Sequence, residues 1–103
     1  MLKLQGDQTK WEKPDDQTNH NMKITLKLYG GLKEYLPKNS SKNQSSIEIN
    51  EGLSVEQTLN IYGVPLEERK IVMVNGIHIM PEERANKILS DLDSLAVWPQ
   101  STG

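Results

Sequence analysis

The 103-residue chain has no cysteine. That excludes disulfides, a thiolate nucleophile and any Cys-type zinc site. Histidine is nearly missing too: His20 and His78 are the only two. A two-His metal site would need both, and His20 lies in a polar arm with no sign of regular structure, while His78 reads as a surface strand residue. No apolar run approaches the roughly 20 residues that span a bilayer. The N-terminus lacks the hydrophobic segment of a signal peptide, so the expectation is a soluble, cytoplasmic protein with no membrane partner. A basic excess is missing as well. The formal net charge is −2, the wrong sign for a chain whose main partner is nucleic acid. Finally, no Asp or Glu has a partner acid or His at a spacing that reads as general acid–base work. Gly30-Gly31 lacks the further glycine and the lysine of a phosphate loop. The reading is a chain that is not itself an enzyme and binds no cofactor or metal.

The length suits one domain and not two. Residues 1 to 21 are polar and aperiodic, with Trp11 the one residue that could dock. They offer too little apolar surface to offset an ordering entropy of about 1–2 kcal/mol per residue, so a disordered extension is expected there. The charges are unevenly spread. Residues 22 to 44 carry Lys23, Lys27, Lys33, Lys38 and Lys42 against Glu34, whereas residues 45 to 103 carry nine acids against Arg69, Lys70, Arg84 and Lys87. Solvated faces explain most such imbalances; at opposite ends of a folded body they would also orient a partner.

Residues 22 to 29 alternate cleanly, with Met22, Ile24, Leu26 and Leu28 on one side and Lys23, Thr25, Lys27 and Tyr29 on the other. That pattern predicts a strand with one buried face. Leu32 and Leu36 suit a single helical turn before Pro37, and residues 38 to 46 read as a loop. A short second strand over residues 47 to 49 would pair with the first as an antiparallel hairpin. Ser54 and Gln57 fit a capping box, followed by the apolar stripe Val55, Leu59 and Tyr62 and by Gly63 at the left-handed C-terminal position. Asn75-Gly76 between two apolar runs is a strong hairpin signal, because both turn positions need φ > 0. It pairs Val74 with Ile77 and Val72 with Ile79, and sets Met73 against His78. Residues 82 to 90 form a polar connection that brings Ile88 and Leu89 inward. Residues 91 to 93 form a turn, and residues 95 to 98 the last strand, with Leu95 and Val97 on one face and Ala96 and Trp98 on the other.

One helix and five short strands bury their apolar faces most economically as an α+β domain over residues 22 to 98: a single mixed sheet wrapped over the helix. About fifteen apolar side chains, each worth roughly 1.5–3 kcal/mol on burial, make a small core of the size expected below 80 residues. The first and last strands fit side by side and parallel at the centre. The opposite face then carries Tyr29, Ile71, Met73, His78, Ala96 and Trp98 beside the lysines, an uncovered apolar patch of the kind that marks a partner. Trp98, with Pro99, Met73, Ile71 and Tyr29, is the expected partner-binding set, since a buried aromatic anchor dominates interface energetics.

From about Met22 to Gly103 the chain resembles the ubiquitin-like sulfur carrier proteins of the MoaD/ThiS type. The similarity rests on Tyr29-Gly30 at the end of the opening strand, Leu53-Ser54-Val55 ahead of the helix, Val74-Asn75-Gly76 at the hairpin, Asp93 before the last strand, and Trp98-Pro99 leading to a glycine. The resemblance implies a ubiquitin-like β-grasp fold and a carrier role. A ubiquitin-activator-like adenylating enzyme would use ATP to adenylate the Gly103 carboxylate. A persulfide would convert it to a thiocarboxylate, and a sulfur-accepting synthase of molybdopterin or thiamin formation, or a tRNA thiolation enzyme, would take the sulfur. Residues 99 to 103 are then a flexible tail in which Ser101 and Thr102 thread a narrow channel. Glycine suits the reacting end because the backbone can approach a phosphate closely. This chain departs from the family's paired glycines at Thr102, a β-branched residue with narrower φ and ψ. An activator that accepts threonine, a chain end shorter than the natural one, and a relative that has lost transfer all remain open. Leu92, where the family commonly has glycine before the aspartate, is a second departure. A non-transferring β-grasp interaction module and a ubiquitin-like protein modifier are the alternative functions.

Overall fold

A computed structural model describes residues 21–38 and 40–99. The expected N-terminal arm through His20, and Ser101, Thr102 and Gly103 of the tail, lie outside the described residues. Five strands form one mixed sheet: β1 (Asn21–Leu28), β2 (Gln44–Asn50), β3 (Ile71–Val74), β4 (Ile77–His78) and β5 (Ser94–Trp98), in the order β2-β1-β5-β3-β4. β1 and β5 are parallel at the centre, with Leu26 opposite Leu95 and Leu28 opposite Val97. β1–β2, β3–β4 and β3–β5 are antiparallel. The single α-helix among the described residues, α1 (Val55–Ile61), is joined by 3-10 turns at Gly30–Tyr35, Leu66–Glu68 and Pro81–Glu83.

Alternation builds the core. The inward residues of β1 (Met22, Ile24, Leu26, Leu28), with Ile47, Ile49, Val72, Val74, Leu95 and Val97, close over Val55 and Leu59 of α1. Leu26, Leu28, Val55, Leu59, Val72, Leu95 and Val97 are completely buried. The helix is too short to persist alone in water, and its start is closely tied down. Ser54 Oγ accepts from the Gln57 amide at 3.1 Å while Gln57 Oε1 accepts from the Ser54 amide at 2.9 Å, which is the expected capping box. The amides of Val55 and Glu56, which have no partner within a helix, donate to the carbonyls of Lys87 and Arg84. The connection after β4 therefore wraps the helix N-terminus. Gly63 takes the expected left-handed φ of +76°.

Several expectations need correction. β2 begins at Gln44, inside the residues read as loop; its first three residues are polar and are held by pairing Gln44 with Lys27 and Ser46 with Thr25. The turn after β1 is a 3-10 helix that includes both glycines. Leu89 is buried but Ile88 is about half exposed: the amide of Leu89 donates to the carbonyl of Leu53 and residue 88 forms a bridge with Ser54, which leaves the Ile88 side chain outside. Tyr62 is half-buried against the core, and burial pushes its phenol above the usual tyrosine value.

Two arginines with no sequence signal are buried. Arg69 Nε and Nη2 both donate to the Val64 carbonyl, and Nη2 also donates to Asn60 Oδ1 at 2.8 Å. Arg84 donates from Nε to the Ile79 carbonyl and from Nη1 to the Arg69 carbonyl. Burial lowers the pKa of both guanidinium groups. Glu56 opposes that shift at Arg69 and Arg84 adds to it, while Glu82 opposes it at Arg84. Both side chains act as cross-links between irregular segments, supplying the donors that buried carbonyls require.

Candidate functional site: the sheet face and the root of the tail

The register across the sheet fixes which outward residues meet. Ile71 lies opposite Trp98, Met73 opposite Ala96 and also opposite His78, and Ala96 opposite Lys27. Parallel pairing carries the end of β1 alongside the end of β5. There the Tyr29 and Trp98 rings stack, with centroids 4.7 Å apart and planes within 6°. The stack needs residues 69 positions apart in sequence, so alternation placed both rings outward but gave no sign that they touch. Tyr29, Ile71, Met73 and Trp98 are all half-buried, and Ala96 between them is buried. Four of the five expected docking residues therefore sit together on one sheet face.

Pro99, the fifth, plays a different part. It is half-buried and packs on Gly30. Gly30 has φ +58°, and a Cβ there would lie 2.9 Å from Pro99 Cγ and 3.5 Å from Cδ. Only glycine combines that backbone with that approach. The amide of Tyr29 donates to the Val97 carbonyl at 3.1 Å, and the amide of Lys70 donates to the Trp98 carbonyl at 3.2 Å. The chain thus leaves β5 from a fixed point, and Pro99 belongs to the body rather than to a free tail. Beside it is a cleft of about 220 Å³ lined by Leu32, Glu34, Tyr35, Pro65, Glu68 and Pro99, below the roughly 300–1,000 Å³ of ordinary ligand pockets.

The other end of β5 is closed by polar groups. Asn75 and Gly76 have φ of +54° and +83°, the left-handed pair expected of the turn. Asn75 Nδ2 donates to Asp93 Oδ1 at 2.9 Å, the Ser94 amide donates to Asn75 Oδ1 at 2.8 Å, and the Asn75 amide donates to the Ser94 carbonyl at 2.8 Å. Asp93 Oδ2 accepts from the Ser90 amide, and Asp91 Oδ1 from the Lys23 amide. The Asn-Gly and Asp features that carried the family resemblance are thus bonded to each other. Leu92, between the two acids, has φ +71° and is 78% exposed. It occupies a glycine-type conformation, which explains why glycine would suit that position.

Among the described residues, no group of three His, Asp or Glu residues is placed to hold a metal ion. Nor is any helix among them long and apolar enough to cross a membrane.

No curated protein sequence matches the chain. Among solved structures, it is similar to the solution structure of the Haloferax volcanii HVO 2177 protein, with 15% identity and a TM-score of 0.65, over 87% of this chain and 94% of that one. It is also similar to the crystal structure of SAMP1 from Haloferax volcanii, with 16% identity and a TM-score of 0.54, over 79% of this chain and 98% of that one. At those identities the likeness is one of fold, and the fold is the ubiquitin-like β-grasp that the sequence resemblance implied. The family model described as Mut7-C ubiquitin matches residues 21–103, and the chain belongs to that ubiquitin-like family.

Proposed function

We propose that this chain is a ubiquitin-like sulfur carrier whose working group is the carboxyl of Gly103. The observation that supports this most directly is the root of the tail. β5 is paired on both sides, Trp98 is stacked on Tyr29, and Pro99 is seated on Gly30. A rigid point of departure beside an apolar face suits a protein that presents its end to a partner. A ubiquitin-activator-like adenylating enzyme docks on Tyr29, Ile71, Met73 and Trp98 and draws in Ser101 and Thr102. The carboxylate attacks the α-phosphate of ATP held by that enzyme, and pyrophosphate leaves. The terminal sulfur of a persulfide then attacks the acyl carbon and AMP leaves. A donor-side thiol resolves the acyl disulfide and is oxidised to a disulfide, which releases the thiocarboxylate for a sulfur-accepting synthase or thiolation enzyme. The carrier supplies no catalytic side chain and binds no cofactor of its own.

Intact-mass spectrometry tests this after incubation with a candidate activator, ATP and a persulfide donor. Exchange of one terminal oxygen for sulfur is the expected result, and Thr102→Gly is expected to speed adenylation. Threonine at position 102 favours a second reading, a module that docks without transfer. In that case no activator produces an adduct, and a chain lacking Thr102 and Gly103 binds its partner as well as the intact one, while Trp98→Ala abolishes binding. Conjugation to a lysine of another protein uses the same activated carboxyl and would appear as an isopeptide-linked product.

A further inference from the structure

We propose that Asn75 is a deamidation site that its clamp to Asp93 keeps silent in the native fold, and that reaction there leaves the start of β5 open. This goes beyond the carrier reading and does not depend on it. Asn75 is the one asparagine in the chain followed by glycine. Gly76 has no side chain to shield its amide nitrogen, so that nitrogen can reach the Asn75 side-chain carbonyl carbon. Attack forms a C–N bond, the Cγ–Nδ2 bond breaks, and ammonia leaves with the proton given up by the Gly76 amide. The resulting succinimide takes up one water and opens at either carbonyl, giving aspartate or isoaspartate. Nothing is oxidised or reduced.

The native geometry opposes the first step. Both heteroatoms of the Asn75 amide are engaged, Nδ2 with Asp93 Oδ1 and Oδ1 with the Ser94 amide. Its backbone amide is engaged with Ser94 as well. Swinging the side chain toward the Gly76 nitrogen breaks both side-chain bonds, so attack requires local opening of the hairpin tip. Reaction then prevents reclosure. The donor to Asp93 becomes a carboxylate, and two like charges face each other at hydrogen-bonding distance where an amide met an acid. Asp93 still holds the Ser90 amide, so the acid cannot simply turn away. The isoaspartate product also lengthens the backbone of a two-residue turn.

The full chain is incubated in mildly alkaline buffer, with and without urea, then digested and mapped by mass. Position 75 is expected to react at least about tenfold more slowly in the native state than in urea. Asp93→Ala is expected to raise the native rate about tenfold, with peptides carrying Asn43 and Asn60 unchanged. Equal native and urea rates for the wild type would overturn the proposal. A folded Asp93→Ala protein that reacts at the wild-type rate would do the same. Should Asp93→Ala lose its fold, the product-like Asn75→Asp decides: its Tm falls, and adding Asp93→Asn, which exchanges amide and carboxylate across the same contact, restores it. An Asn75→Asp protein as stable as the wild type, or a double variant no better than the single one, would remove the clamp from the account.

Discussion

Replacing Gly30 by alanine is expected to destabilise the fold by about 2–5 kcal/mol, through two routes that can be separated. The first is conformational. At φ +58° a non-glycine residue sits in the left-handed region, which costs about 1–2 kcal/mol. The second is steric. The new methyl would stand 2.9 Å from Pro99 Cγ, well inside the roughly 3.5–4.0 Å optimum between carbons. Overpacking of this kind costs about 1–3 kcal/mol. The proline ring is rigid and is held through the neighbouring Trp98–Tyr29 stack, so it cannot easily step aside. Pro99→Ala removes Cγ and Cδ together. In that background Gly30→Ala should cost only the conformational part, leaving a coupling energy of about 1–3 kcal/mol between the two sites. Urea unfolding followed by circular dichroism measures all four proteins, with an unchanged m-value as the check that only stability has moved. If Gly30→Ala costs the same with and without the proline ring, Pro99 does not rest on Gly30, and the tail has no fixed root.

Three other substitutions test local features. Leu92→Gly should raise stability by about 0.5–1 kcal/mol, since it relieves a left-handed φ of +71° at a side chain that is 78% exposed, partly offset by the greater freedom of glycine in the unfolded chain. A thermal melt that moves down would refute that. Ser54→Ala should cost about 1 kcal/mol by removing the cap on α1, and denaturant titration reads it. Tyr62 makes a pH prediction. Its folded pKa is raised by burial, so the unfolded chain gives up its phenolic proton first as pH rises past about 10. That part of the stability is fully present below pH about 10 and is lost as pH climbs through the folded value. Tyr62→Phe should flatten this part of the decline; an identical alkaline stability profile in both proteins would show that burial is not the cause.

What could be read from the sequence is what neighbouring residues decide. The alternation of β1, the Asn75-Gly76 turn and the Ser54 capping box each lie within a few positions, and each appears where the pattern put it. The parallel pairing of β1 with β5 followed from two well-patterned strands needing the centre of the sheet. What could not be read depends on pairs that only the fold creates. Gln44, Ser45 and Ser46 carry no apolar signal, yet they extend β2 because β1 offers partners there. Arg69 and Arg84 look like surface charges in a list of residues. They are buried because irregular backbone at Val64, Ile79 and Arg69 leaves carbonyls that need donors. That Tyr29, Ile71, Met73 and Trp98 share one outward sheet face was legible from alternation, whereas the ring contact of Tyr29 with Trp98 and the seat of Pro99 were not.

β5 is therefore held by opposite chemistry at its two ends, and the difference bears on function. Its start is fixed by directional bonds among Asn75, Asp93 and Ser94. Such bonds contribute about 0.5–1.5 kcal/mol each when made, and leave costly orphans when one partner is removed. Its end shares in backbone bonds, Tyr29 to the Val97 carbonyl and Lys70 to the Trp98 carbonyl. Its side chains there are fixed by a ring stack and by the contact of Pro99 with Gly30, which are non-polar and leave no unsatisfied side-chain group behind. Loss of the polar end should propagate into the sheet, because β5 pairs with both β1 and β3. Loss of the apolar end should mostly redirect the chain beyond Pro99 and expose the docking face while the sheet stays intact. Substitutions at Asn75 or Asp93 should then behave as folding lesions, and those at Tyr29, Trp98 or Pro99 as lesions of partner binding in an otherwise folded protein. Equal loss of Tm from the two groups would contradict this division, and would mean that the end of β5 is as much a part of the fold's cooperative core as its start.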